Sequence, residues 1–205
     1  MGMECVSGRV DSFPLAAVYP PRKRWTRAVC ASLESTGLGA SERVELIEGD
    51  LITRRPKKRP HMIAFILMEQ WLNKVFHVLF VNPEGPIDVS PQDNPTSEPE
   101  PDFAVLKKAA TEYKIGNPPP QDVRLLIEIS DSTLAFDLGT RANLYARAEI
   151  ADYWVVDIAG RRSLVHRAPN GGSYSSVTAY TEGAALAPLA APDAILQVAA
   201  VLPPR

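Results

Sequence analysis

The apolar positions of the chain recur with two different periods, which separate predicted strands from predicted helices. Two short apolar runs at 44–48 and 51–52, separated by Gly49-Asp50, predict a tight β-hairpin. Polar side chains at helical spacing between His61 and His77 predict a long amphipathic helix, and Pro60 before it suits a first helical turn. A shorter helix is predicted to begin after Thr26, whose side chain can cap it.

The remainder of the chain predicts β-structure interrupted by one more helix. The segment 123–130 has apolar residues at its odd positions, so Glu128 projects from the opposite face of that strand. A helix is predicted from about Phe136 to Ala148. Other strands are predicted at 77–81, 87–89, 102–106, 153–157, 164–166 and 174–180. This order of elements predicts an α+β domain with one central, mixed β-sheet.

Length and composition indicate one globular unit. The chain has 205 residues, of which 45% are hydrophobic and 22% charged, enough to bury a sizeable core. We predict a loosely packed or disordered arm over 1–24 and a single domain over 25–205. The first residues lack an apolar signal-peptide core, and Cys5 and Cys30 are too few for a disulfide framework or a structural zinc site. These features predict a soluble protein of the reducing cytoplasm, with no membrane partner.

The net charge excludes a protein that binds nucleic acid over its whole surface, but one short basic segment could still contact DNA. The 22 basic and 24 acidic side chains give a net charge of −2, which excludes a uniformly basic surface. Five cations nevertheless fall within six positions, and they are candidates for contacts with a DNA backbone: Arg54, Arg55, Lys57, Lys58 and Arg59. A solvated basic loop is the alternative interpretation of the same pattern.

Two carboxylates lie in unusually apolar strands. Asp102 opens one such strand, and Glu128 lies near the end of another. A buried carboxylate is costly unless it is paired or bound to a cation. Two strands that deliver these acids to one sheet end would form an oxygen site suited to Mg²⁺ or Mn²⁺, which can activate water against a phosphodiester. The alternative is that Asp102 caps a turn while Glu128 pairs with Arg124 or Arg141.

Several sequence blocks, taken together, carry a resemblance to a known family. They occupy 43–52, 59–61, 100–102, 125–133, 137, 144–148 and 152–157. In this order they resemble the bacterial restriction-endonuclease-like family within the PD-(D/E)XK nuclease superfamily. The resemblance extends from about Trp25 to Tyr180.

The resemblance implies a restriction-endonuclease-like core, a central mixed β-sheet flanked by α-helices, that hydrolyses DNA with Mg²⁺ or Mn²⁺. Asp102 matches the aspartate of the family's Pro-Asp motif, and Glu128 matches the second acid. Glu45 matches a glutamate of the first hairpin that would be a third acid of the catalytic and metal-binding site. His61 matches a family histidine, and it could contact phosphate or an acid of the site.

One departure from the family concerns the expected lysine, because Arg141 stands in its place. Lysine can lose a proton when buried and help to deprotonate water, whereas arginine stays charged and can only stabilise negative charge. Two hypotheses follow: a metal-dependent endonuclease that uses Arg141, or a nuclease-fold module without catalysis that binds nucleic acid or protein. In the second, Arg141 simply pairs with Glu128, Asp137 or another acid of a vestigial site. A lysine from elsewhere would favour the enzyme, and the candidates are Lys107, Lys108 and Lys114.

Two expectations concern assembly and affinity. The apolar face of the helix over 61–77 is broad, which predicts a homodimer, since enzymes that cut both strands of a duplex often require two sites. The near-neutral total charge predicts DNA binding that is weak without metal and sensitive to salt.

Overall fold

A six-stranded mixed β-sheet forms the centre of the molecule. The structure is a computed structural model that describes residues 23–34, 43–54 and 56–205, so nearly all of the predicted N-terminal arm over 1–24 lies outside the described residues. The helices are α1 (Arg27–Glu34), α2 (Arg59–Phe76), α3 (Leu134–Phe136) and α4 (Ala142–Arg147). The strands are β1 (Val44–Ile47), β2 (Asp50–Thr53), β3 (Val81–Pro83), β4 (Phe103–Leu106), β5 (Val123–Ser130), β6 (Asp152–Asp157), β7 (Arg162–Asn170), β8 (Ser173–Thr181), β9 (Ala185–Leu186) and β10 (Leu196–Gln197).

The strand order of the main sheet is β3-β4-β5-β6-β7-β8. All neighbours in it are antiparallel except β5 and β6, which are parallel. A parallel pair needs a crossover connection, and α3 and α4 supply it. The predicted α+β class and the mixed sheet are therefore confirmed.

Helices cover both faces of the sheet. On one face, Met68 and Leu72 of α2 belong to a buried cluster with Ile127 and Trp154. On the other face, Tyr145 of α4 lies in a second buried cluster with strand residues. The central strands are thus buried on both sides, which explains their nearly continuous apolar sequences.

The predicted hairpin is present as β1 and β2, whose register pairs Glu45 with Ile52. Its turn is made by Glu48 and Gly49, which have φ angles of 49° and 81°. Two consecutive positive φ angles are typical of the tight turns that match the twist of a hairpin. The turn therefore lies one residue earlier than the Gly49-Asp50 pair suggested.

Two predicted strands are wrong. Most of the segment 77–81 forms a 3₁₀ turn at Val78–Phe80, and the strand that follows is β3. The segment 87–89 is extended but joins no ladder, since the Ile87 N–H bonds to the carbonyl of Pro99 instead. Short apolar runs signal burial, and burial alone does not distinguish a strand from a turn or a packed loop.

The predicted helix over 136–148 contains a π-helical turn, Asp137–Arg141, between α3 and α4. A π turn inserts an extra residue into a helix, and such turns are frequent at functional sites. The side chains of Asp137 and Arg141 at the two ends of this turn are both buried. The irregular turn thus directs an acid and a cation inward.

The apolar face of α2 is largely used within the chain, since Ala64, Phe65, Met68 and Leu72 are buried there. Ile66 on the same helix is 43% exposed. The face that suggested a homodimer therefore has less free apolar area than its sequence implies. In the described part of the chain, no helix combines the length and apolar character that crossing a membrane requires.

Candidate active site

Several elements meet at one end of the sheet around a cleft of about 490 Å³. Phe103 on β4 pairs with Ile127 on β5, so Asp102, one residue earlier, comes beside Glu128, one residue later. The hairpin supplies Glu45, and the π turn supplies Arg141. The predicted site acids and Arg141 are thus brought together, although they come from four separate elements.

Asp102 is buried and accepts contacts from three directions. Its Oδ1 lies 2.7 Å from Nζ of Lys57, and its Oδ2 accepts a 2.8 Å hydrogen bond from the backbone N–H of Ile129. Nε2 of His61 lies 3.3 Å from the same Oδ2. His61 therefore contacts an acid of the site, one of the two roles that its position suggested.

Arg141 lies between two acids of the site. Its guanidinium donates one hydrogen bond to Glu128 and another to Glu45. Its Nε lies 3.4 Å from Oδ1 of Asp137, one turn earlier. The hydroxyl of Tyr145 donates a 3.1 Å hydrogen bond to Glu128. Of the two arginines that could pair with Glu128, the structure selects Arg141.

The two central carboxyls have opposite electrostatic surroundings. Burial alone would raise the pKa of Asp102, but His61 and Lys57 outweigh it and lower that pKa to about 2. Burial raises the pKa of Glu128 to about 8, because the attraction of Arg141 is opposed by neighbouring acids, Asp102 first among them. Two acids whose pKa values diverge in one cleft are typical of functional sites.

The inner cluster has more acids than cations. Burial also raises the pKa of Glu45 and of Asp137, although Arg141 opposes the shift in both. Burial would lower the pKa of Arg141, but Glu128 and the other acids hold it well above its usual value. Among the described inner residues, four carboxylates face two cations: Glu45, Asp102, Glu128 and Asp137 against Arg141 and Lys57.

Asp102 and Glu128 offer carboxylate oxygens, which are the hard donors that a divalent cation prefers. A bound cation would favour the ionised form of acids whose pKa values are otherwise raised. Oε2 of Glu128 takes a long contact, 3.4 Å from the backbone N–H of Asp102. Within the described ranges, however, no three acidic, histidine or cysteine side chains converge into a metal site by themselves.

Comparison with known proteins identifies the family. Residues 31–199 match the family described as "Uma2: Putative restriction endonuclease". The chain belongs to this family. No curated protein is similar enough to count as a match.

A solved structure supports the fold of this Uma2 family member. It is a crystal structure from Anabaena variabilis ATCC 29413, described as a putative nuclease belonging to DUF820. The two share 15% sequence identity with a TM-score of 0.58, over 78% of this chain and 90% of the other. At this identity the likeness concerns the fold, and it confirms the predicted architecture.

The basic segment before α2 has two kinds of side chain. Arg54 pairs with Glu100, and Lys57 points to Asp102, so both are engaged with acids. Lys58 and Arg59 are exposed and form no ion pair with the described residues. Arg55 lies outside the described residues. Among the described side chains, Lys58 and Arg59 are therefore the ones best placed to meet a DNA backbone.

The three lysines considered as replacements for Arg141 lie away from the cleft, whereas Lys57 lines it. Lys107, Lys108 and Lys114 do not line the cleft, and Lys108 pairs with Asp122 at 3.3 Å instead. Lys57 reaches Asp102 but was identified from the sequence only as a candidate DNA contact. Four other cations surround it in sequence, so no local signal distinguishes it. Asp137 was one of the alternative partners expected for Arg141, and its Oδ1 lies 3.4 Å from Nε of Arg141.

Proposed function

We propose that this chain is a metal-dependent endonuclease that hydrolyses DNA phosphodiester bonds, with Asp102 and Glu128 as the ligands of Mg²⁺ or Mn²⁺. The observation that carries the proposal is the meeting of these two buried acids beside a cleft. Burial and the neighbouring acids raise the pKa of Glu128 to about 8, and a bound divalent cation would favour its ionised form. Membership of a family described as restriction endonucleases supports the same reaction class.

The roles of the other residues follow from their contacts. A bound divalent ion supplies an activated water and neutralises charge on the phosphate. Glu45 holds one arm of the Arg141 guanidinium, which stays protonated and so cannot take a proton from water. Lys58 and Arg59 provide exposed positive charge for the DNA backbone. With so few free cations, affinity is expected to be weak and sensitive to salt.

A second candidate function is supported by the position of Arg141. A guanidinium between Glu45 and Glu128 neutralises acids without metal, as expected for a nuclease-fold module that binds nucleic acid or protein and has lost catalysis. This candidate predicts no saturable Mn²⁺ binding by calorimetry. It also predicts nucleic-acid or protein binding that a chelator does not change.

Nicking of supercoiled plasmid DNA tests the enzyme. With Mg²⁺ or Mn²⁺, we expect cleavage by the wild type and a loss of about 100-fold or more for Asp102→Asn, because removing one charged ligand weakens metal binding. Asp88→Asn is the matched control, since Asp88 pairs with Arg27 and does not line the cleft. If the wild type and Asp102→Asn are equally inert with both metals and with single- and double-stranded DNA, the proposal is wrong.

The homodimer remains a proposal that rests on the exposed part of α2. Sedimentation velocity at micromolar concentration is expected to show a dimer, and Ile66→Glu is expected to shift it towards the monomer, because a charge would be buried at the interface. A wild-type protein that sediments as a monomer at this concentration contradicts the idea.

A further inference from the structure

The two terminal nitrogens of the Arg141 guanidinium both donate hydrogen bonds to buried acids. It contacts Glu45, Glu128 and Asp137, and its side chain is only 9% exposed. A planar group held from three sides cannot easily turn towards a substrate. The position that holds lysine in related nucleases is therefore occupied here by a structural cation, and a compact amine must come from another element.

Lys57 places such an amine in the cleft. Its Nζ lies 2.7 Å from Oδ1 of Asp102 and 2.8 Å from Oε1 of Glu84. The same Nζ lies 4.2 Å from the ring centroid of Phe65, and the side chain is 20% exposed. An ammonium group has three N–H donors, and these two acids account for two of them. No third oxygen of the described residues contacts this nitrogen, and Lys57 lines the cleft.

We propose that Lys57, and not residue 141, supplies the amine of this active site. Nζ of Lys57 positions Asp102 and donates a hydrogen bond to a non-bridging oxygen of the scissile phosphate. The inference rests on the proposed nuclease function and assigns a contact at the same site.

The neighbouring cations are not equivalent to Lys57. Lys58 is exposed and has no acid partner among the described residues, so it is placed for the DNA backbone. Arg54 is engaged by Glu100. Of the described cations in this segment, Lys57 is thus the one that contacts a predicted metal ligand.

This assignment separates two roles of positive charge. Negative charge on the phosphate oxygens grows as the attacking water bonds to phosphorus and the bond to the leaving oxygen breaks. A preorganised cation in a partly buried site stabilises that growing charge more than it stabilises bound DNA. Loss of Lys57 should therefore slow cleavage of bound DNA, whereas loss of Lys58 should weaken binding.

The experiment compares Lys57→Met with the control Lys74→Met, because Lys74 is an exposed residue of α2 that does not line the cleft. Lys58→Met is added as the comparison for DNA binding. Single-turnover cleavage at saturating DNA with Mn²⁺ is expected to fall about 100-fold for Lys57→Met and to stay near the wild-type rate for Lys74→Met. DNA binding is measured separately by fluorescence anisotropy in EDTA. It should change less than about threefold for Lys57→Met, whereas Lys58→Met should bind more weakly with a salt slope reduced by about one.

Folding is controlled by thermal unfolding of each variant. Methionine keeps the apolar stem beside Phe65. Lys57→Gln keeps a hydrogen-bond donor for Asp102 without the positive charge. Its cleavage rate is expected to fall by the same factor as that of Lys57→Met. It serves as the second test if the methionine variant does not fold.

The outcomes distinguish the two proposals. If the wild type cleaves DNA and both Lys57 variants cleave it at the wild-type rate, the assignment of Lys57 is overturned. The proposed nuclease function is then unaffected. If the cleavage rate and the DNA affinity of the Lys57 variants fall by the same factor, Lys57 is an ordinary contact with the DNA backbone. The assignment is then overturned as well. A wild type without metal-dependent cleavage overturns the nuclease proposal and this inference with it.

Discussion

Replacing Arg141 with methionine is expected to lower the free energy of unfolding by about 3 to 5 kcal/mol at pH 8. Methionine has a similar length and fills much of the same space, so the change removes mainly the charge and the hydrogen bonds. Glu45, Glu128 and Asp137 would then remain buried without their shared cation. A buried carboxylate left in this way must be protonated or exposed to water, and both cost free energy.

Urea unfolding at pH 8 and at pH 5 measures this effect. The loss should be smaller at pH 5, where the acids can take up protons. Arg147→Met is a matched control on the same helix, because Arg147 also pairs with two acids, Glu48 and Asp93, but is 34% exposed. Exposed pairs contribute about 1 kcal/mol or less, so the control should lose little. Equal losses for the two variants would show that Arg141 does not neutralise a buried cluster.

Replacing Glu128 with glutamine is expected to change the pH dependence of the free energy of unfolding. The difference in this free energy, Glu128→Gln minus wild type, should be about 3 kcal/mol larger at pH 8 than at pH 5. Burial raises the pKa of Glu128 from 4.5 to about 8 in the folded protein. Between these values the folded state binds more protons than the unfolded state. The contribution of Glu128 to stability is therefore present at low pH and is lost as the pH rises towards 8, a loss that glutamine avoids.

The same urea titration across this pH range, with Glu98→Gln as the control, measures the difference. The Glu98 side chain is 39% exposed. Glutamine at 128 can still accept the hydrogen bonds from Arg141 and Tyr145 through its carbonyl oxygen. A difference between Glu128→Gln and the wild type that stays constant from pH 5 to pH 8 would mean that the folded protein holds Glu128 ionised throughout.

The sequence predicted the main strands well and the irregular segments poorly. Strand β5 has clear alternation, and the hairpin has a turn signal between two apolar runs, so both elements appear where expected although the turn is shifted by one residue. The error at 87–89 arose because Ile87 is buried under a loop, and burial produces an apolar residue with or without a ladder. The π turn at Asp137–Arg141 could not be predicted either, because the spacing of apolar residues across the segment 136–148 still fits an ordinary helix.

Chain separation limits what the sequence can indicate about the site. Glu45 and Arg141 are 96 residues apart, and Lys57 and Asp102 are 45 apart. Neither pair belongs to one element, so no periodicity connects its members. The family resemblance identified Asp102, Glu128 and Glu45 as site residues. It did not assign the ion pairs between these acids and the nearby cations.

The sequence by itself determined an α+β domain of the Uma2 family with acids at the ends of two apolar strands, because hydrophobic period and ordered motifs are local properties of the chain. Only the tertiary structure decided that Arg141 lies between Glu45 and Glu128 and that Nζ of Lys57 pairs with the carboxylate of Asp102. The physical reason is that ion pairing depends on distance in space and on shared burial. Both are set by the sheet register, the hairpin and the π turn acting together.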